Sequence, residues 1–315
     1  MARQGTVAHV VSPGGGAQSR VARRRAPSRM RGMEVDPSGW PAAGLLALAK
    51  LLAGYHRYRV QHLERLGRVL RAGRRVILVG NHALDVIDPL LFISALLGRY
   101  GRVPRIIGHR SWFRLPLLRE LSARYRVVPS HSMEDATEAL VQDGFLMLFP
   151  GGVSEAALRS YRDEPYRLMW EGRRGFLDLA LAHGAEVLFV AAVGNEEMYY
   201  QSRLPTPGPV VRLADAGDGM RYRGAPLRFG LLGPHLLPGV FPLPVQLTHV
   251  VSPRLPLGNR ALALRDPAVF ERLHRTVWRR CQTFLARAVA RRDRSADLPD
   301  RTIRAGERLL QQLGV

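Results

Sequence analysis

The sequence predicts an α/β domain with a largely parallel central sheet flanked by helices. Short, largely apolar runs recur along the chain at Arg75–Gly80, Pro104–Gly108, Arg126–Pro129, Phe145–Phe149 and Glu186–Val193. Segments of helical periodicity separate them, at Pro89–Leu97, Leu115–Arg124, Met133–Gln142 and Arg173–His183. Strand alternating with helix at this spacing is the signature of parallel strands joined by crossovers, and parallel strands read as continuous apolar runs because both faces are covered.

The flanking segments follow in order. Residues 1–35 carry Arg3, Arg20, Arg23, Arg24, Arg25, Arg29 and Arg31 with no acid before Glu34, plus scattered Gly, Pro and Ser. This composition cannot form a core and predicts a disordered Arg-rich tail. Residues 36–72 predict one amphipathic, membrane-associating helix over 40–71, opened by Trp40-Pro41, with Leu45, Leu48, Leu51, Leu52, Tyr55 and Tyr58 at helical spacing. Trp40, Tyr55, Tyr58, Arg57 and Arg59 flank its apolar stretch, which suits an interfacial helix. The α/β domain spans 73–260. Within it, residues 203–243 show no strong period and predict a long irregular insertion, and Val245–Val251 predicts a late strand. C-terminal helices fill 261–315, the first an amphipathic helix over Pro267–Arg291.

The formal net charge of +21 directs the chain toward anionic surfaces: lipid headgroups, phosphorylated small molecules or nucleic acid. Lys50 is the only lysine, so the excess is arginine and carries a genomic bias, which weighs against specific nucleic acid as a partner. The single cysteine, Cys281, excludes an internal disulfide and a Cys-rich zinc site; its place in a helical apolar stripe predicts a core residue. No run reaches the ~18–20 apolar residues that a spanning helix needs, and the N-terminus does not resemble a signal peptide.

Two segments carry chemistry. Gly80–Phe92 places Asn81-His82 directly after a buried strand, at the carboxyl end where α/β sheets bind ligands. Asp88-Pro89 then opens an apolar helix, Asp88 as N-cap and Pro89 as first helical residue. A carboxylate beside an imidazole fixes its tautomer and steadies the imidazolium formed when it takes a proton from an alcohol. Asp85 is the alternative partner for His82. The second segment, Phe145–Ala156, ends a strand in Pro150-Gly151-Gly152, with Glu155 after it. Paired glycines let the backbone approach a ligand and aim amides at an anion. Ser154 lacks the spacing of a hydrolase nucleophile. His109 and His131 follow strands and read as loop residues. Glu196 and Glu197, after the last strand of the run, either line the site or face water.

Together these residues resemble the glycerolipid acyltransferase superfamily of 1-acylglycerol-3-phosphate acyltransferases. The stretch from Phe149-Pro150-Gly151-Gly152 through Glu155 to Gly194-Asn195-Glu196-Glu197 is similar to its phytyl ester synthase and diacylglycerol acyltransferase branch; the resemblance covers about residues 50–255. It implies a glycerol-3-phosphate acyltransferase-like fold, His82 as general base and Asp88 as its orienting partner. It also implies a substrate site shaped by Asn81, Phe149, Pro150, Gly151, Gly152 and Glu155. Acyl-CoA or acyl carrier protein is the implied donor, with no bound cofactor or metal, and Arg110, Arg173 and Arg174 are candidates for coenzyme A phosphates.

The chain departs from the family pattern in places. Five residues separate His82 from Asp88 where the superfamily has four. The second block lacks the phosphate-binding Arg, with Ser132 at the equivalent place, which points to a neutral lipid or long-chain alcohol as acceptor. The expectation is an acyltransferase at the cytoplasmic face of a membrane, peripheral or monotopic. A 1-acylglycerol-3-phosphate or lysophospholipid acyltransferase is the alternative, and a non-catalytic lipid- or nucleic-acid-binding protein the reading from another class.

Overall fold

A computed structural model describes residues 33–34, 42–83, 85–109, 113, 119–120, 122, 127–130, 132–208, 225–234, 241–295 and 298–312. Residues 1–32 of the Arg-rich tail, the Trp40-Pro41 helix start, most of the 115–124 helix, Arg110 and His131 fall outside them; Met33–Glu34, expected within the disordered tail, form a short strand on Arg102–Val103.

In chain order the elements are β1 (Met33–Glu34), α1 (Ala42–Tyr55), β2 (Arg59–Gln61), α2 (Leu63–Arg71), β3 (Val76–Gly80) and α3 (Ile87–Tyr100). There follow β4 (Arg102–Val103), β5 (Arg105–Gly108), β6 (Val128–Pro129), α4 (Met133–Asp143), β7 (Phe145–Leu148), α5 (Gly175–His183) and β8 (Glu186–Val193). The last are β9 (Tyr200–Pro205), β10 (Pro226–Gly230), β11 (Gly233–Pro234), β12 (Thr248–Arg254), α6 (Arg260–Arg265), α7 (Pro267–Arg294) and α8 (Leu298–Gln312).

The central sheet has seven strands in the order β2-β12-β8-β3-β7-β5-β6. Pairing is parallel everywhere except between β12 and β8. β3 and β8 are buried at every position, because neighbours flank them and helices cover both faces. On one face α4, α5 and α7 supply Leu140, Leu177, Val277, Cys281 and Leu285. On the other, α2 and α3 supply Leu66, Val69, Phe92 and Leu96. Cys281 is fully buried, and burial pushes its thiol pKa up.

Two expectations are corrected. Residues 40–71 are not one helix. α1 ends at Tyr55, a turn follows, and Arg59–Gln61 joins the sheet edge in parallel with Thr248–Val250. The turn depends on Arg57 at φ 43. Its guanidinium holds it there, donating to Pro244 O at 2.9 Å and to Asp300 Oδ1 at 2.7 Å. Residues 59–71 therefore belong to the same layered unit as the sheet, ahead of the expected boundary at 73. The stretch 203–243 is not wholly irregular either: β9, β10 and β11 form a second, antiparallel sheet. The late strand also starts three residues further on than expected, at Thr248. Among the described residues no helix is long and apolar enough to cross a membrane.

Candidate active site

The site is built at the carboxyl end of β3. Asn81 is buried, and both ends of its amide are used on the neighbouring strand: Nδ2 donates to Ala192 O at 2.9 Å and Oδ1 accepts from Ala192 N at 2.8 Å. A side chain thus continues the β3–β8 ladder one step past its last backbone pair. This pins the next residue, His82, at the sheet's rim. Asn81 is accordingly a scaffold for His82, its polar atoms spent within the protein.

The half-buried His82 ring lies on Phe149, with centroids 4.7 Å apart and planes at 23°. Gly80 leaves room for that ring, since a Cβ there would sit 3.1 Å from Phe149. The His82 backbone N–H donates to Glu155 Oε1 at 2.7 Å. Desolvation pushes the imidazole pKa down to about 4, so His82 is neutral across the physiological range, the state a base requires. Nδ1 is buried and has no hydrogen-bond partner among the described residues.

Glu155 is fully buried and links the two sequence segments: Oε1 holds His82 N, and Oε2 accepts from Met169 N at 2.8 Å. Burial raises its pKa to about 7 against the lowering effect of those two bonds. Gly151 is what lets the carboxylate fold back, because a Cβ there would overlap Glu155 itself. Gly152 takes φ 51, a left-handed turn that glycine adopts without cost. Pro150 is buried beneath this turn.

The aspartates exchange their expected roles at the helix start. Asp85, not Asp88, caps α3: its Oδ1 accepts from Ile87 N at 2.8 Å and Asp88 N at 3.0 Å. Asp88 sits inside the first turn, 1% exposed, and its Oδ2 accepts from Asn195 Nδ2 at 2.8 Å. With Nδ1 unpartnered, the His82–Asp88 pair is open in this structure. Burial raises the Asp88 pKa well above the usual carboxylate range, the Asp85 charge raises it further, and the Asn195 bond opposes both. Burial raises Asp85 to about 6. The cluster thus holds a neutral imidazole beside two desolvated carboxyl groups that resist ionising together.

Residues 57–193 match the family model described as Acyltransferase. Curated relatives described as "DGAT1/2-independent enzyme synthesizing storage lipids" are similar over part of the chain. The Gallus gallus protein is 29% identical over 128 residues, 40% of this chain and 36% of the relative. The Bos taurus protein is 26% identical over 130 residues, 41% of this chain and 36% of the relative. The Homo sapiens protein is 26% identical, covering 41% and 37%. The chain therefore spans little more than a third of the length of these relatives. Residues 57–193 are thus similar to an acyltransferase domain.

The matched stretch runs from the Arg57 turn to the end of β8 and contains His82, Asp85, Asp88 and Glu155. Asn195 lies just outside the match. It stands in the Gly194-Asn195-Glu196-Glu197 motif, which by itself assigns it no role. A signal was present: adjacent parallel strands β3 and β8 both end in Gly-Asn, at Gly80-Asn81 and Gly194-Asn195. The turn that presents Asn195 is tightly specified. Gly194 has φ 97, a Cβ on it would strike Gln246 O, and its N–H donates to the Tyr166 hydroxyl at 2.7 Å. Glu196 and Glu197 do not face water. Glu196 pairs with buried Arg159 and accepts from Tyr166 N at 2.8 Å; Glu197 pairs with Arg292 of α7. Of the arginines proposed for coenzyme A, Arg174 lies beside Glu271 of α7 at 3.3 Å, and Arg173 is exposed. Among the described residues no cluster of His, Cys, Asp or Glu is arranged to hold a metal ion.

Proposed function

We propose that the chain is an O-acyltransferase working at the cytoplasmic face of a membrane. It moves a fatty acyl group from acyl-CoA or acyl carrier protein to the hydroxyl of a neutral lipid or long-chain alcohol. The observation that carries this reading is the convergence of its two sequence segments on one imidazole, through the 2.7 Å bond from His82 N to Glu155 and the Phe149 stack. The family match supports acyl transfer, and the relatives' description as storage-lipid enzymes supports a neutral product.

In the mechanism we propose, neutral His82 takes the acceptor hydroxyl's proton as that oxygen attacks the thioester carbonyl carbon. The tetrahedral intermediate collapses by breaking the carbon–sulfur bond. The imidazolium returns its proton to the leaving thiolate. Asp88 accepts from Nδ1 once the positive charge forms. The backbone amide of Gly151 stabilises the oxyanion, since Gly152 N already donates to Phe149 O at 3.1 Å.

The test is labelled acyl-CoA offered with diacylglycerol, monoacylglycerol, a long-chain alcohol and lysophosphatidate. Transfer to the neutral acceptors is expected, and His82→Ala should lower kcat by ~10²–10⁴ while remaining folded. Full activity in folded H82A ends the mechanism. Exclusive use of lysophosphatidate returns the protein to the phospholipid reading.

A further inference from the structure

The exposed apolar residues of the chain are unevenly placed. Leu48 and Leu51 on α1 are 45% and 71% exposed. Leu231 and Leu232, in the turn between β10 and β11, are 55% and 71% exposed, and Phe241 is 55% exposed. These belong to one surface. Leu48, Leu51 and Tyr55 stand three and four residues apart, hence on one helix face. The Tyr55 hydroxyl donates to Pro242 O at 2.7 Å, and Leu231 N donates to Phe241 O at 2.8 Å. The helix face, Phe241 and the hairpin turn are thereby joined edge to edge. The opposite side of α1 packs on α3 through Ala49, Ile87 and Leu91, so the surface borders the helix that carries Asp88.

Charge identifies the occupant. The sequence around this surface, 42–63, 198–208 and 225–247, contains no Asp or Glu, although the chain has 26. Its exposed cations are Lys50, Arg59 and Arg203; Arg57 is spent on Asp300, and Arg228 is buried against the Ala156 and Ala157 carbonyls. An apolar face bordered by cations and free of anions fits the boundary between acyl chains and anionic headgroups. A protein partner imposes no such exclusion of acids over three separate segments.

We propose that the outer face of α1, Phe241 and the Leu231–Leu232 turn form one membrane-insertion surface for an anionic bilayer, with the hairpin as a second anchor beside the helix. The proposal extends the membrane-surface reading above but is tested without catalysis. Cys281 is buried, with its thiol held protonated, so a cysteine introduced elsewhere can be labelled selectively. The full chain carrying Leu232→Cys, Leu51→Cys or, as control, Val141→Cys on α4 is labelled with an environment-sensitive fluorophore. It is then mixed with phosphatidylcholine vesicles with and without phosphatidylglycerol.

Labels at 232 and 51 should shift to the blue and be quenched by chain-attached nitroxide lipids. The effect should be stronger with the anionic lipid, and the label at 141 should not respond. Leu231→Asp with Leu232→Asp should weaken vesicle binding at least tenfold, with an unchanged melting temperature. A label at 232 that stays in water, or unchanged binding by the double variant, overturns the proposal. So does shielding that grows with protein concentration in the absence of lipid, which would make the occupant a second copy. A chain that inserts but transfers no acyl group refutes the function above and leaves this surface standing; an active chain whose 232 label stays in water does the reverse.

Discussion

Asn195 touches no reacting atom in the proposed mechanism, yet it sets the charge state of one that does. Its amide donates to Asp88 Oδ2 and so favours the carboxylate over the acid, against burial and the neighbouring Asp85. A hydrogen bond to a charged group contributes ~1.5–3 kcal/mol. Asn195→Ala should therefore raise the Asp88 pKa further. Asp88 then needs a higher pH to ionise, so the acid limb of the kcat profile moves up by the same amount. Carboxyl ¹³C titration of Asp88, assigned with Asp88→Asn, checks the shift independently of activity. An unmoved titration with a uniformly lower kcat would make Asn195 a packing residue only. Much of this site was legible in sequence: His82 ends an apolar strand, and Glu155 follows a double glycine. The cap was not. The sequence places the cap at Asp88 for a helix beginning at Pro89; the helix begins two residues earlier, at Ile87, so it is Asp85 that meets Ile87 N.

At the scale of elements, the buried strands were readable because each is covered on both faces, and its composition says so. β3, β7 and β8 fall within a residue of their expected bounds. The failures are elements held by distant contacts. β2 has three residues and pairs with a strand nearly 190 positions later. β9 mixes buried Gln201 and Ser202 with exposed Arg203 and Leu204, so it carries no clean alternation. The break between α1 and β2 is likewise a tertiary feature, resting on Asp300 of α8. Asp300 Oδ1 accepts from Arg57 Nη2 and, at 2.9 Å, from Gln246 N. Asp300→Ala leaves a buried amide and a largely covered guanidinium without this acceptor, and should cost ~2 kcal/mol. Urea unfolding measures the loss. Hydrogen exchange should show the amides of α1 opening faster, with those of β3 and β8 still protected. Equal acceleration throughout would mean that the turn is not where Asp300 acts.

Across the whole molecule, the C-terminal helices brace the site from behind, where the family match does not reach. Arg292 of α7 is 4% exposed; it donates to Glu197 Oε2 at 2.6 Å and to Gln246 O at 3.4 Å. Both contacts flank the Gly194 turn that aims Asn195 at Asp88. The buried charge on Arg292 is stable only while Glu197 accompanies it, since removing one member of a buried pair leaves the other uncompensated at a cost of ~3–5 kcal/mol. Arg292→Ala should therefore destabilise the protein by about 3 kcal/mol. It should also lower kcat below what the folded fraction accounts for, because the turn carrying Asn195 loses its backing. Arg292→Met combined with Glu197→Gln removes both charges and should cost less than the two single changes added, since each single change strands the other's charge. The recovery should be in stability alone. The paired variant still lacks the guanidinium that spans Glu197 and Gln246, so its kcat should stay near that of Arg292→Ala. Denaturant unfolding and kinetics on the same samples separate the two effects. If kcat recovers in step with stability, α7 merely holds the molecule together; if it does not, α7 is part of what positions the site.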